Sequence, residues 1–173
     1  MALLARRGLH ATSFSEVLAA TGAPRGSLYH HFPEGKEQLM GAAVDRAGAV
    51  LLGVLERGSA GSAEEVVRNF LAVWRAVLTR SNCEAGCAVL AVTVATDSAD
   101  LLVHATAVFR AWRERLTDRL KQAGLTLPVA RRFAMLLLAS TEGAVVLSRA
   151  DQSLEPFEAV AQQLLDEARR LQG

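Results

Sequence analysis

The chain has 173 residues, of which 51% are hydrophobic and 21% charged, and its formal net charge is +1. A chain of this length can bury a core without disulfides or metals, and its composition argues against disorder. The near-neutral charge excludes a protein that coats nucleic acid non-specifically. A specific DNA-binding protein is still possible, because it needs only a local basic surface.

The sequence carries no sign of export or membrane insertion. Residues 1–8 lack the charged start and apolar run of a signal peptide. The longest charge-free apolar stretches, near 85–96 and 133–141, fall short of the roughly 20 residues that span a bilayer. Cys83 and Cys87 are too few for a secreted disulfide framework. We therefore expect a cytoplasmic protein with no membrane partner.

Residues 13–32, SFSEVLAATGAPRGSLYHHF, contain two short predicted helices. Ser13 and Glu16 form a capping box that begins the first helix. Gly22 allows a tight turn, and Pro24 begins the second helix. Two short helices joined by a glycine-containing turn are typical of a helix-turn-helix, although an ordinary helical hairpin has the same pattern.

The second of these helices is expected to present polar groups to DNA. The guanidinium of Arg25 matches the two acceptors on a guanine edge. Gly26 permits close backbone approach, Ser27 can donate to a base or a phosphate, and the Tyr29 hydroxyl can bind a phosphate. Lys36 opens the next helix, where its charge and the unpaired N–H groups favour a phosphate.

The rest of the chain is also predicted to be helical. Apolar stripes at helical spacing lie within residues 39–54, 102–120 and 157–171. Residues 129–149 are apolar on nearly every face, which indicates a central helix or a dimer interface. Residues 86–96 would also suit a buried strand, but nothing else in the chain could pair with one. The sequence therefore predicts an all-α protein.

A break at residues 58–62 (GSAGS) follows a helix of about 20 residues. We place the domain boundary inside that helix, near residue 46, because a sensor needs a stiff connection to a DNA-binding head. The predicted organisation is a three-helix DNA-binding domain over 1–46 and a helical ligand-sensing and dimerisation domain over 47–173.

The run GAPRGSLYHHFPEGKEQL resembles the signature of the tetracycline-repressor (TetR) family of regulators. The extra residue in Phe32–Lys36, together with the element Asn82–Cys87, resembles the LmrA/YxaF-like branch. The resemblance implies a homodimer of nine-helix subunits, with helices one to three as the DNA-binding head. It implies base contacts from Arg25, Ser27 and His30, and phosphate contacts from Tyr29, Lys36 and the helix start at Ser13.

The same resemblance implies a dimer interface and a pocket for a small apolar or aromatic ligand. The last two helices would pack against their counterparts, through Leu137, Val145, Phe157, Val160 and Leu164. The candidate ligand residues could equally be plain core, and for Glu142 an ion pair across the dimer with Arg149 is the alternative. They are Phe70, Trp74, Leu90, Val94, His104, Val108, Phe109, Trp112, Met135 and Glu142.

Several other readings are disfavoured. Adjacent His30 and His31 point about 100° apart on a helix, which does not suit one metal ion. Cys83 and Cys87 could form a redox pair or half a zinc site, but His104 is the only plausible further ligand. The sequence also lacks a nucleophile elbow and a glycine-rich phosphate loop. We expect no cofactor, no metal and no enzymatic activity.

The sequence therefore predicts a repressor that binds a palindromic DNA operator as a homodimer and is released by a ligand. Recognition helices of such a dimer must lie about 34 Å apart. A ligand among helices five to eight would tilt helix four, near 36–57, and change that spacing. The alternative is an interaction module that keeps the fold without binding DNA. Its one support is the short first helix, about residues 2–7.

Overall fold

A computed structural model describes residues 1–57 and 60–172, so residues 58 and 59 of the predicted break lie outside the described residues. The described part is helical and contains no strand. This confirms the all-α prediction. The helices are α1 (Ala2–Arg7), α2 (Phe14–Thr21), α3 (Arg25–His31), α4 (Lys36–Arg57), α5 (Ala63–Ser81), α6 (Ala88–Thr93), α7 (Ala99–Gln122), α8 (Leu127–Asp151) and α9 (Glu155–Arg170).

Short polar side chains begin several of these helices. The hydroxyl oxygens of Ser13, Ser62 and Ser98 accept hydrogen bonds from the backbone N–H three residues later. These bonds satisfy N–H groups that have no partner within the helix. Gly22 ends α2 in the left-handed region, with φ 67°. The capping box and the glycine turn are therefore located where the sequence predicts them.

The ambiguous segment 86–96 is helical only in part. α6 covers Ala88–Thr93, and Cys87 caps it through its sulfur, which accepts from the Leu90 N–H at 3.3 Å. The prediction of a helix rather than a strand is confirmed for this short stretch. The residues on either side form the turns that connect α6 to α5 and α7.

α4 packs closely against α7, and small residues make this possible. A Cβ atom on Gly48 would come within 2.8 Å of Val108 Cγ2, and one on Gly41 within 3.0 Å of His104 Nε2. The indole N–H of Trp112 donates to the carbonyl oxygen of Gly48 at 3.1 Å. The helix that carries Lys36 at its start is therefore fixed to α7 along much of its length.

α8 has two apolar faces. Its inner face packs into the core, whereas Leu136, Val146 and Leu147 are each about half exposed. α4 and α8 are each long and apolar enough to cross a membrane by length and composition. Half of the apolar stretch in α8 is nevertheless buried inside the protein. Packing within the fold accounts for the apolar residues on the buried half of α8, whereas the apolar residues on its outer face remain exposed.

Most of the residues predicted for the dimer interface pack inside their own chain. Leu137, Val145, Phe157 and Leu164 are buried in the core of their own chain, none more than 4% exposed, and Val160 is half-buried against that core. The four buried residues are therefore not available as a contact surface in the folded chain. The apolar pattern of α8 is the same on both faces, so it could not indicate which face is turned inward.

Candidate nucleic-acid interface and ligand cavity

The pair α2 and α3 is held together by apolar contacts. Leu28 is buried beneath α3. The rings of Phe14 and Tyr29 meet edge to face, with centroids 5.4 Å apart and planes at 78°. Edge-to-face contact is a preferred geometry for aromatic pairs. It orients Tyr29 while leaving half of the residue exposed.

The remaining surface of α3 is open. Arg25, Gly26, Ser27, Tyr29 and His30 are all exposed, as the sequence predicts. A Cβ atom on Gly26 would meet nothing within 4 Å. The fold therefore does not require glycine at this position. An exposed glycine among donor side chains instead suits close approach of the backbone to a partner.

Ser13 and Lys36 differ in their suitability as phosphate contacts. Lys36 is exposed at the start of α4. The backbone N–H of Ser13 instead donates to Glu16 Oε2 at 3.1 Å, and its hydroxyl oxygen accepts from the Glu16 N–H at 3.2 Å. The bond from Ser13, aided by Arg7, holds the pKa of Glu16 below its usual range. A phosphate at this helix start would meet the Glu16 carboxylate, whose charge opposes the predicted phosphate contact.

An apolar cavity of about 230 Å³ lies where α1 meets α4, α5 and α7. Two of the predicted ligand residues, Trp74 and Trp112, line it, with ring centroids 6.3 Å apart. Its other walls come from α1, α4, the remainder of α5 and residues 85–88. Sequence reasoning missed these walls because they are brought together only by long-range packing.

The other predicted ligand residues lie outside this cavity, for three reasons. Phe70 and Val108 are buried in the core, and Leu90 and Phe109 are half-buried against it. Val94 and Met135 lie on the surface of the protein, where they are 74% and 47% exposed. His104 lies on another surface, where its Nδ1 is 2.9 Å from Asp45 Oδ1. The helical spacing of apolar residues predicted these positions, but it does not indicate which side of a helix faces a cavity.

Glu142 is a buried carboxylate without a regular hydrogen bond. It is 7% exposed, and neither side-chain oxygen has a hydrogen-bond partner among the described residues. Burial raises its pKa to about 7, and the neighbouring Cys87 thiol, a weak donor, acts in the opposite direction. The predicted alternative, an ion pair with Arg149 across the dimer, stays a prediction; within one chain, Arg149 Nη2 donates to the carbonyl oxygen of Arg6 at 3.0 Å.

The two cysteines are both buried and free. Burial raises the pKa of the Cys87 thiol well above its usual range, and the nearby Glu142 carboxylate adds to the rise. A thiol in such surroundings is a poor nucleophile. Across residues 1–57 and 60–172, no group of three or more histidine, cysteine or acidic side chains is arranged to hold a metal ion.

Two family models together match most of the chain. Residues 1–43 match the model for bacterial regulatory proteins of the tetR family. Residues 63–163 match the C-terminal domain of LmrA/YxaF-like transcriptional regulators. The chain belongs to the TetR family. This TetR-family protein is therefore a DNA-binding transcriptional regulator with a helix-turn-helix, and the predicted absence of an enzymatic role is confirmed by its family.

Named relatives agree with this assignment. An uncharacterised HTH-type transcriptional regulator of Mycobacterium tuberculosis is 36% identical over 169 residues, covering 94% of this chain and 86% of the relative. YxaF of Bacillus subtilis is 28% identical over 162 residues, covering 91% and 85%. The predicted LmrA/YxaF-like branch is thus confirmed by both the C-terminal model and a relative.

Solved structures share the fold. A TetR transcriptional regulator from Chloroflexus aurantiacus is 32% identical and superposes with a TM-score of 0.76, covering 95% of this chain and 87% of that one. One from Legionella pneumophila reaches a TM-score of 0.84 at 22% identity, covering 96% and 91%. The helices of this chain are therefore arranged as in solved structures of the family.

Proposed function

We propose that this TetR-family regulator is a repressor that acts in the cytoplasm as a homodimer on a palindromic operator and is released by a small apolar or aromatic molecule. The observation that carries the proposal is the surface of α3. Five residues suited to DNA contact are exposed there, while Leu28 and the Phe14–Tyr29 contact hold the helix in place. Operator recognition would use Arg25, Ser27 and His30 for bases, and Tyr29 and Lys36 for phosphates.

The outer face of α8 supports the homodimer. Leu136, Val146 and Leu147 are about half exposed and follow one another at helical spacing, with Ala139 and Gly143 between them. A contiguous exposed apolar surface on a monomer usually marks an interaction site. Small residues at its centre would let two copies of α8 approach closely. These five residues replace the buried ones first predicted for the interface.

The dimer can be tested with one charged substitution and a matched control. We expect Leu147→Glu to shift the protein from dimer to monomer in sedimentation velocity, because the carboxylate would be buried against a second copy. Val94→Glu makes the same kind of change at an exposed apolar position on another surface and should leave the dimer intact. A dimer that survives Leu147→Glu would rule out this face.

Ligand release is supported by the connection between the cavity and α4. Trp112 lines the cavity and also donates to the Gly48 carbonyl of α4. An occupant that moves this indole would therefore shift α4, which begins at Lys36 beside α3. A shift in both subunits would change the spacing of the two recognition helices. The ligand must bind the released state more tightly, or it would shift nothing.

The proposal can be tested by measuring, at two salt concentrations, the affinity of the protein for DNA fragments that it selects from its own genome. We expect Arg25→Ala to cost about 1–3 kcal/mol and to relax the sequence preference at one base pair. Lys36→Ala should weaken binding uniformly and reduce the salt slope by about 1. Unchanged affinity in both Tyr29→Phe and Lys36→Ala would favour the alternative, an interaction module that does not read DNA through this surface.

A further inference from the structure

A buried carboxyl group on α8 has no partner that could stabilise its charge. Glu142 is 7% exposed, and neither of its oxygens has a hydrogen-bond partner among the described residues. The hydroxyl of the neighbouring Thr141 is also buried and unpartnered within that part of the chain. An unpaired buried charge is costly, whereas a neutral carboxylic acid is tolerated. The packed structure around Glu142 therefore favours the protonated form.

No charged side chain around Glu142 compensates for its charge. α8 packs against α5, α7 and α9. Arg75 of α5 is paired with a carboxylate of α9, and Arg113 of α7 and Arg149 of α8 each donate to a backbone carbonyl oxygen. Among the described residues, Cys87 is the one other titratable group that affects the pKa of Glu142. The proton affinity of Glu142 therefore depends on its burial and on this thiol.

Cys87 connects Glu142 to the start of α6. Its sulfur accepts from the Leu90 N–H at 3.3 Å and so caps this helix. The same thiol group lies beside the Glu142 carboxyl group and acts on it as a weak donor. α6 in turn packs against α4 and α7, and its buried residues belong to the core. A change at Glu142 can therefore reach α4, which begins at Lys36, through Cys87 and α6.

The backbone that leads into α6 has an unusual conformation. Asn82 and Cys83 both have positive φ, 51° and 60°, which is uncommon for residues other than glycine. Such a conformation persists only when surrounding contacts hold it, as the bond from the Cys83 N–H to the Leu78 carbonyl does here, at 2.8 Å. The other elements around Glu142 are long helices. Segment 82–87 is therefore the part of its surroundings that opens most readily.

We propose that Glu142 and Cys87 form a buried proton switch: segment 82–87 stays closed over α8 while the Glu142 carboxyl group is protonated, and release of that proton to water opens the segment and removes the cap of α6. The one bond that changes is the O–H bond of the carboxyl group. The effect on DNA rests on the proposed function above. Because α6 supports α4, the open form positions the recognition helices poorly, and operator affinity falls.

The direction of the pH dependence follows from the burial of the carboxyl group. Burial raises the pKa of Glu142 from 4.5 to about 7, so the closed form binds the proton more tightly than an open form in which the group is hydrated. The closed form is therefore favoured at about pH 6 and is progressively lost as pH rises to about 8. The open form is populated enough at about pH 8 to affect binding to DNA.

Hydrogen exchange at the Leu90 N–H measures the opening, because this N–H loses its acceptor when Cys87 moves. The opening constant, corrected for intrinsic exchange, should rise about tenfold between about pH 6 and about pH 8, the factor given by pKa values of 4.5 and about 7. In Glu142→Gln it should change less than about twofold. No rise in the wild type, or an equal rise in the variant, would overturn the switch.

A core amide shows whether the opening is local. Phe70 is buried in α5, and its N–H should stay better protected than that of Leu90 at both pH values. Equal protection of the two amides would mean that Glu142 releases its proton only on global unfolding, which would also overturn the switch.

The role of the thiol is tested by two cysteine variants. Cys87→Ser keeps an acceptor for the Leu90 N–H and replaces the weak donor beside Glu142 with a stronger one, so the ionised carboxylate is better tolerated in the closed form. The rise in the opening constant should therefore drop below about threefold. Cys83→Ser, at the other buried cysteine, should keep the tenfold rise. An undiminished rise in Cys87→Ser would exclude Cys87 from the switch.

Operator affinity of the wild type and of Glu142→Gln, compared at both pH values, tests the effect on DNA. Their affinities should be equal at about pH 6, and the wild type should bind at least about twofold more weakly at about pH 8. The comparison cancels the titration of His30 and His31, which both proteins share. Equal affinities at about pH 8 would overturn the coupling to DNA. Specific binding by neither protein at about pH 6 would contradict the proposed function, and the exchange measurements, which use no DNA, would still decide whether the switch exists.

Discussion

Glu142→Gln should stabilise the protein at alkaline pH and have little effect at acidic pH. The carboxylate is 7% exposed and neither oxygen has a hydrogen-bond partner among the described residues, so its charged form is poorly compensated. Burial raises its pKa from the ordinary 4.5 to about 7. Glutamine has nearly the same shape and no charge. It should therefore remove the pH-dependent cost without leaving a cavity.

The sign follows from proton binding. Between its unfolded and folded pKa values, Glu142 binds more protons in the folded state than in the unfolded state. The free energy of unfolding therefore falls as pH rises through this window and levels off above about 7. A pKa difference between 4.5 and about 7 corresponds to about 3 kcal/mol in total. Most of this, about 2–3 kcal/mol, should be lost between about pH 5 and pH 8.

Urea denaturation followed by circular dichroism, at fixed protein concentration, measures the difference. The free energy of unfolding of Glu142→Gln minus that of the wild type should be near zero at about pH 5 and about 2–3 kcal/mol at about pH 8. Glu114→Gln, at an exposed glutamate of α7, is the control and should show no such change. The reasoning is refuted if the Glu142→Gln difference is the same at both pH values.

Three further substitutions separate packing, capping and DNA contact. Gly48→Ala should lower the free energy of unfolding by about 1–2 kcal/mol, because its Cβ would lie 2.8 Å from Val108 Cγ2 and overpacking outweighs the gain in helix propensity. An unchanged free energy of unfolding in urea denaturation would contradict the close packing. Ser62→Ala should lower the free energy of unfolding by about 1 kcal/mol, because the cap of α5 is lost. A decrease smaller than a few tenths of a kcal/mol would show that the cap contributes little. Gly26→Ala should leave stability unchanged or raise it by up to about 1 kcal/mol, because nothing lies within 4 Å of its Cβ. The same variant should weaken operator binding about tenfold, and unchanged affinity would exclude close backbone approach at this position.

The helix-turn-helix was predictable because its signals are local. The capping box of Ser13 and Glu16 and the turn at Gly22 are short-range features, and the structure has both in place. The exposed side chains of α3 follow from one buried residue, Leu28. The role of the Glu16 carboxylate was missed because a capping box predicts where a helix starts, but not how its charge affects a bound anion.

The C-terminal helices were less predictable because their features depend on which helix faces are covered. The apolar pattern of α8 is compatible with either orientation, and the prediction chose the face that packs inward, including Leu137 and Val145. The cavity depends on contacts between α1 and segment 85–88, which are about 80 residues apart in the chain. No periodicity within a single helix reports such a contact. The domain boundary near residue 46 stays a prediction.

A hydroxyl-radical footprint on a genomic fragment selected by the protein tests the central claim most directly. The account predicts two protected patches on one face of the duplex, centred about 34 Å apart, over a sequence with approximate two-fold symmetry. Arg25→Ala should weaken both patches equally, and Leu147→Glu should abolish the pair. A single protected patch, or two patches that persist in Arg25→Ala, would contradict recognition by two copies of α3 in a dimer joined through α8.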